Sequence, residues 1–215
     1  MEVHAETDRL ILRRFTAADV DLLVELDSDP EVMFYINAGA ATPRSEIVGD
    51  VLPAFLRQYR RWPVYGFWAI IRRSDAEFLG WVHLRPDQGA PDDEPELGYR
   101  LRRAAWGHGY AAEASRAVID RAFIDGGAAR VVASTMAINS ASRRVLDKAG
   151  LRFIRTFHAD WPVRIPGDEH GDVEYALTRR EWERQVARHD GAGTAQPASG
   201  KSGLLAPRRE DVAEQ

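Results

Sequence analysis

The chain has 215 residues and not one cysteine. Disulfides, a thiol nucleophile and thiolate metal sites are thereby excluded, and a reducing compartment suits it. Positive charge is not in excess either: 29 Lys and Arg against 33 Asp and Glu leave a net charge of −4. A nucleic-acid binder would carry a basic footprint, so no nucleic-acid partner is expected. No apolar run reaches the roughly 18 residues of a membrane span. The opening "MEVHAETDRL" lacks the basic cluster and apolar stretch of a secretion signal. The expectation is a cytoplasmic protein with no membrane partner. The six histidines show no metal-ligand spacing, so no metal is expected.

What is present is an ordinary globular composition, 45% hydrophobic and 29% charged. The length suits one domain with a full core. "RLILRRF" (9–15) reads as a strand. Thr16 and Asp19 fit a capping box, and apolar residues at helical spacing run from Val20 to Leu26, with "DSDP" as the stop. A second helix is expected from Thr42 as N-cap with Pro43 at its first position, kinked or divided by Pro53. "GFWAIIRR" and "EFLGWVHLR" read as an antiparallel hairpin, and "ELGYRLR" (96–102) as a third strand. A helix follows over 110–124, with Ala111, Ala114, Val118 and Ala122 as its apolar face, stopped by Gly126 and Gly127. A strand (129–136), a short helix (139–150), two strands (151–157 and 172–178) and a helix capped by Thr178 and Glu181 complete the pattern. From Gly191 the composition becomes that of a flexible tail, so the domain is expected over 1–189 and the tail over 190–215. The order implies an α/β fold: one mixed sheet with helices on both faces.

Residues 102–114 read "RRAAWGHGYAAEA". Strand, glycine loop and helix follow one another directly. The first N–H groups of a helix lack intrahelical partners and carry the positive end of its dipole. Glycines let a backbone take positive φ and approach a ligand closely. The segment can therefore be a turn or a cradle for phosphate, with Arg100, Arg102 and Arg103 beside it. It is neither the dinucleotide fingerprint nor the P-loop, because the third glycine and the Gly-Lys-Ser/Thr are missing.

"ELGYRLRRAAWGHGYAAEA", followed by "NSASRRVLDKAGLRF", resembles the GNAT acetyltransferase superfamily. "TDRLILRRF" resembles the start of its RimJ/RimL branch, and the similarity covers roughly residues 5 to 185. The resemblance implies a single GNAT-like domain whose sheet splays open at the cofactor site. It implies acetyl-coenzyme A as co-substrate, with the pantetheine lying in the splay like an added strand. Main-chain pairing would come from Tyr99, Leu101 and Arg102. The pyrophosphate would lie on the loop and helix start, Trp106, Gly107, His108, Gly109, Tyr110 and Ala111. Asn139, Ser142 and Arg144 would face the cofactor from the next helix. Asn139 equally reads as that helix's N-cap. The family's loop pattern opens on Gln or Arg, and Ala104 stands there instead, with Arg103 beside it as a source of charge.

Acetyl transfer to an amine needs a base, an oxyanion donor and a leaving thiolate. Glu96, at the head of the central strand, is the first candidate base, and it equally reads as a solvated strand-end carboxylate. His83, on one face with Trp81, is the second. The tyrosine acid of many GNAT enzymes falls at Leu146, so Ser142 is the remaining candidate acid, or the thiolate leaves unaided. Asp87, Asp92, Asp93, Glu94 and Glu96 form one acidic group, and Asp160, Asp168, Glu169 and Asp172 another. Trp62, Tyr65, Trp68 and Trp161 interleave aromatics with them. The bland reading is solvated loops; the functional one is recognition of a cationic small-molecule amine, aminoglycoside- or polyamine-like. Such an acceptor would tie the enzyme to antibiotic resistance. The alternatives are a protein N-terminus, such as that of a ribosomal protein, and a non-catalytic acyl-coenzyme A-binding module. The resemblance leaves room for a homodimer.

Overall fold

The structure, a computed structural model, describes residues 2–159 and 164–193. Eight strands form one sheet in the order β1-β2-β3-β4-β5-β6-β8-β7. They are β1 (Val3–Glu6), β2 (Leu10–Arg14), β3 (Gly66–Arg72), β4 (Phe78–Pro86), β5 (Pro95–Leu101), β6 (Arg130–Met136), β7 (Arg152–Phe157) and β8 (Asp172–Thr178). Every neighbouring pair is antiparallel except β5–β6, which is parallel.

Alternation along the strands divides the buried side chains between two faces. Phe67, Ala69, Phe78 and Trp81 pack under α1 (Val20–Leu26), α2 (Pro30–Asn37), α3 (Arg44–Glu46) and α4 (Leu52–Arg61), against Leu23, Leu26, Ile47 and Phe55. On the back face Trp68, Ile70, Val82, Leu84 and Leu97 meet Val118, Ile119 and Phe123 of α5 (Tyr110–Ile124). Leu146 of α6 (Ser140–Lys148) and Trp182 of α7 (Arg179–Gly193) extend that core. Each fully buried leucine or phenylalanine contributes about 1.5–3 kcal/mol through removal from water.

Both capping boxes form: Thr16 with Asp19, and Thr178 with Glu181. The hairpin β3–β4 and the boundaries of α5 agree with the sequence pattern, but the face of α5 is wider than expected. Ala112, Ser115, Ile119 and Phe123 join it, while Ala111 is only half-buried. Several readings need correction. β1 was not expected, because "VHAE" is too short and polar to signal a strand. α2 was not expected either, because "DSDP" read only as a stop. Asp29 is in fact an N-cap, accepting from the Glu31 N–H at 3.0 Å, with Pro30 at the helix start. Thr42 does not cap the next helix; Pro43 precedes it, and the Thr42 N–H bonds the Asp27 carbonyl. At Pro53 the helix is divided as expected: a π-turn over Ile47–Val51 ends and α4 starts at Leu52, which puts Pro53 in its first turn, where no intrahelical donor is required. Finally, α7 continues to Gly193, past the expected start of the tail at residue 190. Asp160, Trp161 and the tail from residue 194 lie outside the described residues.

A run of arginines at the end of β5 fastens the α1–α2 junction to the sheet. Arg100 bonds Asp27 at 2.6 Å, Arg102 bonds Glu25 at 2.7 Å, and Arg103 reaches Glu31 at 2.5 Å and Asp29 at 3.2 Å. Only the first pair is buried, with the Asp27 side chain 3% exposed against 66% for Glu25. Removing one partner of a buried pair strands a charge, whereas an exposed pair contributes little. Asp27→Ala is therefore expected to cost about 3 kcal/mol in urea unfolding. Arg102→Ala should cost no more than about 1 kcal/mol. Equal losses would show that burial does not set the difference.

Candidate active site

The parallel contact between β5 and β6 is a single register position, Glu96 against Val132, where β4 and β5 share seven. Beyond Glu96 the two strands part. The Arg102 N–H bonds the Leu79 carbonyl of β4 at 2.8 Å. Backbone groups of a strand alternate in direction, so Tyr99 and Leu101 turn theirs away from β4, toward the opening. The Trp106 indole N–H takes the Leu101 carbonyl at 2.9 Å. Tyr99 and Leu101 thus fit the expected main-chain role by direction, while the Arg102 N–H is already engaged.

At the end of β5 a short 3₁₀ turn, Arg103–Ala105, leads into the glycine loop. Gly107 and Gly109 both lie in the left-handed region, at φ +79° and +82°. A Cβ on Gly107 would meet nothing within 4 Å, so its requirement is conformational rather than steric. Gly109 is the N-cap of α5 and offers no side chain, which leaves the first-turn amides uncapped. Arg9 holds the loop from beneath: it donates to the His108 carbonyl at 3.1 Å and to Glu113 at 2.7 Å, and lies over the Tyr110 ring at 4.7 Å. Thr7 adds a 2.6 Å bond to Glu113. No local pattern signals this brace, because its partners are about a hundred residues apart. Trp106, Gly107, His108 and Gly109 stay exposed, with Tyr110 half-buried. The arginines expected beside phosphate are matched instead by the α1–α2 carboxylates.

Across the opening, Asn139 caps α6 by accepting from the Ser142 N–H at 3.0 Å. Tyr99 reaches over from β5, its hydroxyl 3.0 Å from the Ser142 carbonyl and 2.9 Å from Ser142 Oγ. Burial pushes the Tyr99 phenol well above its ordinary range, so it stays protonated. The structure thus brings Tyr99 and Ser142 together, a pairing that spacing alone did not suggest. Leu146 is buried in the core, and Arg144 is exposed, 3.4 Å from Ser140 Oγ.

Glu96 stands on the opposite face, directly across from Arg85 of β4. Its Oε1 accepts from Ser134 Oγ of β6 at 3.1 Å. Burial raises its carboxyl above the ordinary 4.5, helped by Asp87 and opposed by Ser134 and Arg85. His83 shares that face but pairs with Gly98, not Glu96, and its ring crowds the space where a Gly98 Cβ would stand. Burial, with Arg85 and Arg100 nearby, lowers it to about 3, and Nδ1 is buried without a partner. So weak a base does not suit proton abstraction near neutral pH. The acidic loops are partly matched by arginine: Asp87 with Arg85 at 3.0 Å, Glu94 with Arg130 at 3.6 Å, and Asp168 with Arg164 at 2.9 Å. Trp68 and Tyr65 are core residues rather than lining for a cation.

An open strand edge, a glycine loop on a helix start and a half-buried carboxylate thus lie along one strand. Residues 9–152 match the family model described as "Acetyltransferase (GNAT) domain". The FsC-acetyl coenzyme A-N(2)-transacetylase of Aspergillus fumigatus is 34% identical over 170 residues, covering 76% of this chain and 71% of that protein. In fold, the chain is similar to RimL, a ribosomal L7/L12 alpha-N-protein acetyltransferase solved with coenzyme A. The TM-score is 0.69 at 18% identity, over 82% of this chain and 98% of that one. It is also similar to the aminoglycoside acetyltransferase AAC(6')-Ib solved with coenzyme A, at TM-score 0.64 and 19% identity, over 82% and 99%. No helix among the described residues is long and apolar enough to cross a membrane. The chain belongs to the GNAT acetyltransferase family and is an acyltransferase.

Proposed function

We propose that the protein transfers an acetyl group from acetyl-coenzyme A to the primary amine of a small molecule, by direct attack in a ternary complex. The observation that carries this reading is the stretch of β5 beyond Glu96, which lacks a partner strand on its β6 side and leads through the glycine loop to the uncapped start of α5. An extended amide-bearing arm can bond the backbone of Tyr99 and the Leu101 N–H, the Leu101 carbonyl being held by Trp106. Its pyrophosphate can then rest on the amides of Gly107–Ala111. When bound, acetyl-coenzyme A supplies a thioester carbonyl as the electrophile. The amine nitrogen bonds to that carbon, the C–S bond breaks, and the amine proton passes to the base.

Glu96 is that base. Its raised carboxyl is a better proton acceptor than an ordinary glutamate. An N–H turned into the opening can stabilise the developing oxyanion. Ser142, held by Tyr99 and Asn139, is placed to meet the leaving sulfur. Because arginines match three of the loop acids, Asp87, Glu94 and Asp168, the acceptor need not be a polycation. A small-molecule amine is further supported by the relative whose name specifies N(2) transacetylation.

A thiol-release screen over aminoglycosides, polyamines, amino acids and short peptides tests the reading. Turnover confined to peptides would overturn the small-molecule assignment. Glu96→Gln is expected to lower kcat about 10²-fold or more, the usual contribution of a general base. In wild type, kcat/KM should fall as the pH drops through the raised Glu96 carboxyl, and this acidic limb should vanish in Glu96→Gln. His83→Gln should leave the limb in place; its displacement would make His83 the titrating group. Gly107→Val, strained at φ +79°, should weaken coenzyme A binding by calorimetry. The strain of roughly 1–2 kcal/mol corresponds to about tenfold.

A further inference from the structure

We propose that Ser134 is a positioning residue for Glu96: it ties one carboxylate oxygen across the splay and leaves the other for the incoming amine. The inference rests on the reading of Glu96 as the base. Ser134 lies two residues beyond Val132, the one β6 position that pairs with β5. With a period of two, it projects from the same face as Val132, toward the side of Glu96. Its hydroxyl thus bridges the strands where their backbones have ceased to pair. Oε1 takes this bond at 3.1 Å, the only one the Glu96 side chain accepts among the described residues.

The direction of the bond follows from what surrounds Ser134. Directly across on β8 stands Glu174, a second carboxylate within the same row. Glu174 is already held by Arg130 at 2.8 Å and Arg155 at 2.6 Å. A serine hydroxyl has one proton to donate. With Glu174 supplied by two guanidinium groups, that proton goes to Glu96. The charged groups facing Glu96 from β4 and its loop are Arg85 and Asp87, which pair with each other at 3.0 Å. His83, on the same face, is neutral. From β6, Arg130 is drawn toward Glu94 and Glu174. Ser134 is therefore the one neutral donor fixing the orientation of Glu96. Ser134 itself is exposed, so its replacement leaves the core intact.

The test is a pH titration of ¹³C-carboxyl-labelled glutamates in the full chain by NMR. The Glu96 resonance is identified by its loss in Glu96→Gln. Loss of a donor to the charged carboxylate favours the protonated form. In Ser134→Ala the Glu96 resonance should titrate about 0.5–1 pH unit higher than in wild type, as expected for one hydrogen bond. Ser134→Thr should restore it. With the amine that turns over fastest in the screen, the acidic limb of kcat/KM should move by the same interval. The KM for acetyl-coenzyme A should stay unchanged. A Ser134→Ala titration identical to wild type overturns the inference, whatever the kinetics. Undiminished turnover in Glu96→Gln instead overturns the base assignment, and the role of Ser134 with it.

Discussion

The site depends on one refusal to pair. β5 and β6 meet at Glu96 and Val132 and then separate, although both strands continue for several residues. A buried backbone donor or acceptor without a partner is costly, so the interior of a sheet rarely leaves such groups unused. Here a neighbour covers part of the deficit, since Trp106 takes the Leu101 carbonyl, and the Tyr99 hydroxyl spans the gap to Ser142. The remaining groups of β5 are complementary to an extended amide. The same strand delivers Glu96 at its beginning and the glycine loop at its end. The candidate base and the candidate phosphate cradle therefore lie along one rigid element rather than on separate loops.

The arginines secure the walls of that opening. Arg100, Arg102 and Arg103 draw the α1–α2 junction onto the end of β5, and Arg9 draws the start of α5 onto β2. A charge that looks available for a ligand in a linear sequence is thus already matched in the fold. The acidic loops show the same effect, with Asp87, Glu94 and Asp168 each facing a guanidinium. Counting charges along the chain overstates what a substrate would feel, because it omits the partners.

Periodicity and capping made much of the architecture legible. The strands from Gly66 onward, α5, both capping boxes and the two-faced mixed sheet follow from local patterns. Short or doubly readable signals hid the rest. "VHAE" is a strand because β2 offers it an edge, and "DSDP" both ends one helix and caps the next. Pro53 is tolerated because it falls in the first turn of α4. In the site, Glu96 and the glycine loop were visible as residue types in suitable places. Ser134 and the Tyr99–Ser142 contact were not, because each joins positions some forty residues apart through hydroxyl groups that carry no pattern.

By itself the sequence determined the family, the strand–loop–helix order of "ELGYRLRRAAWGHGYAAEA" and the exclusion of thiol chemistry. These depend on local backbone preference and on which atoms are present. Only the tertiary structure decided which charges are matched, which backbone groups of β5 face an opening, and how burial moves the Glu96 carboxyl and the His83 imidazole. Those are differences of solvation and partnership. They arise when distant segments meet, as burial does in raising one group and silencing the other.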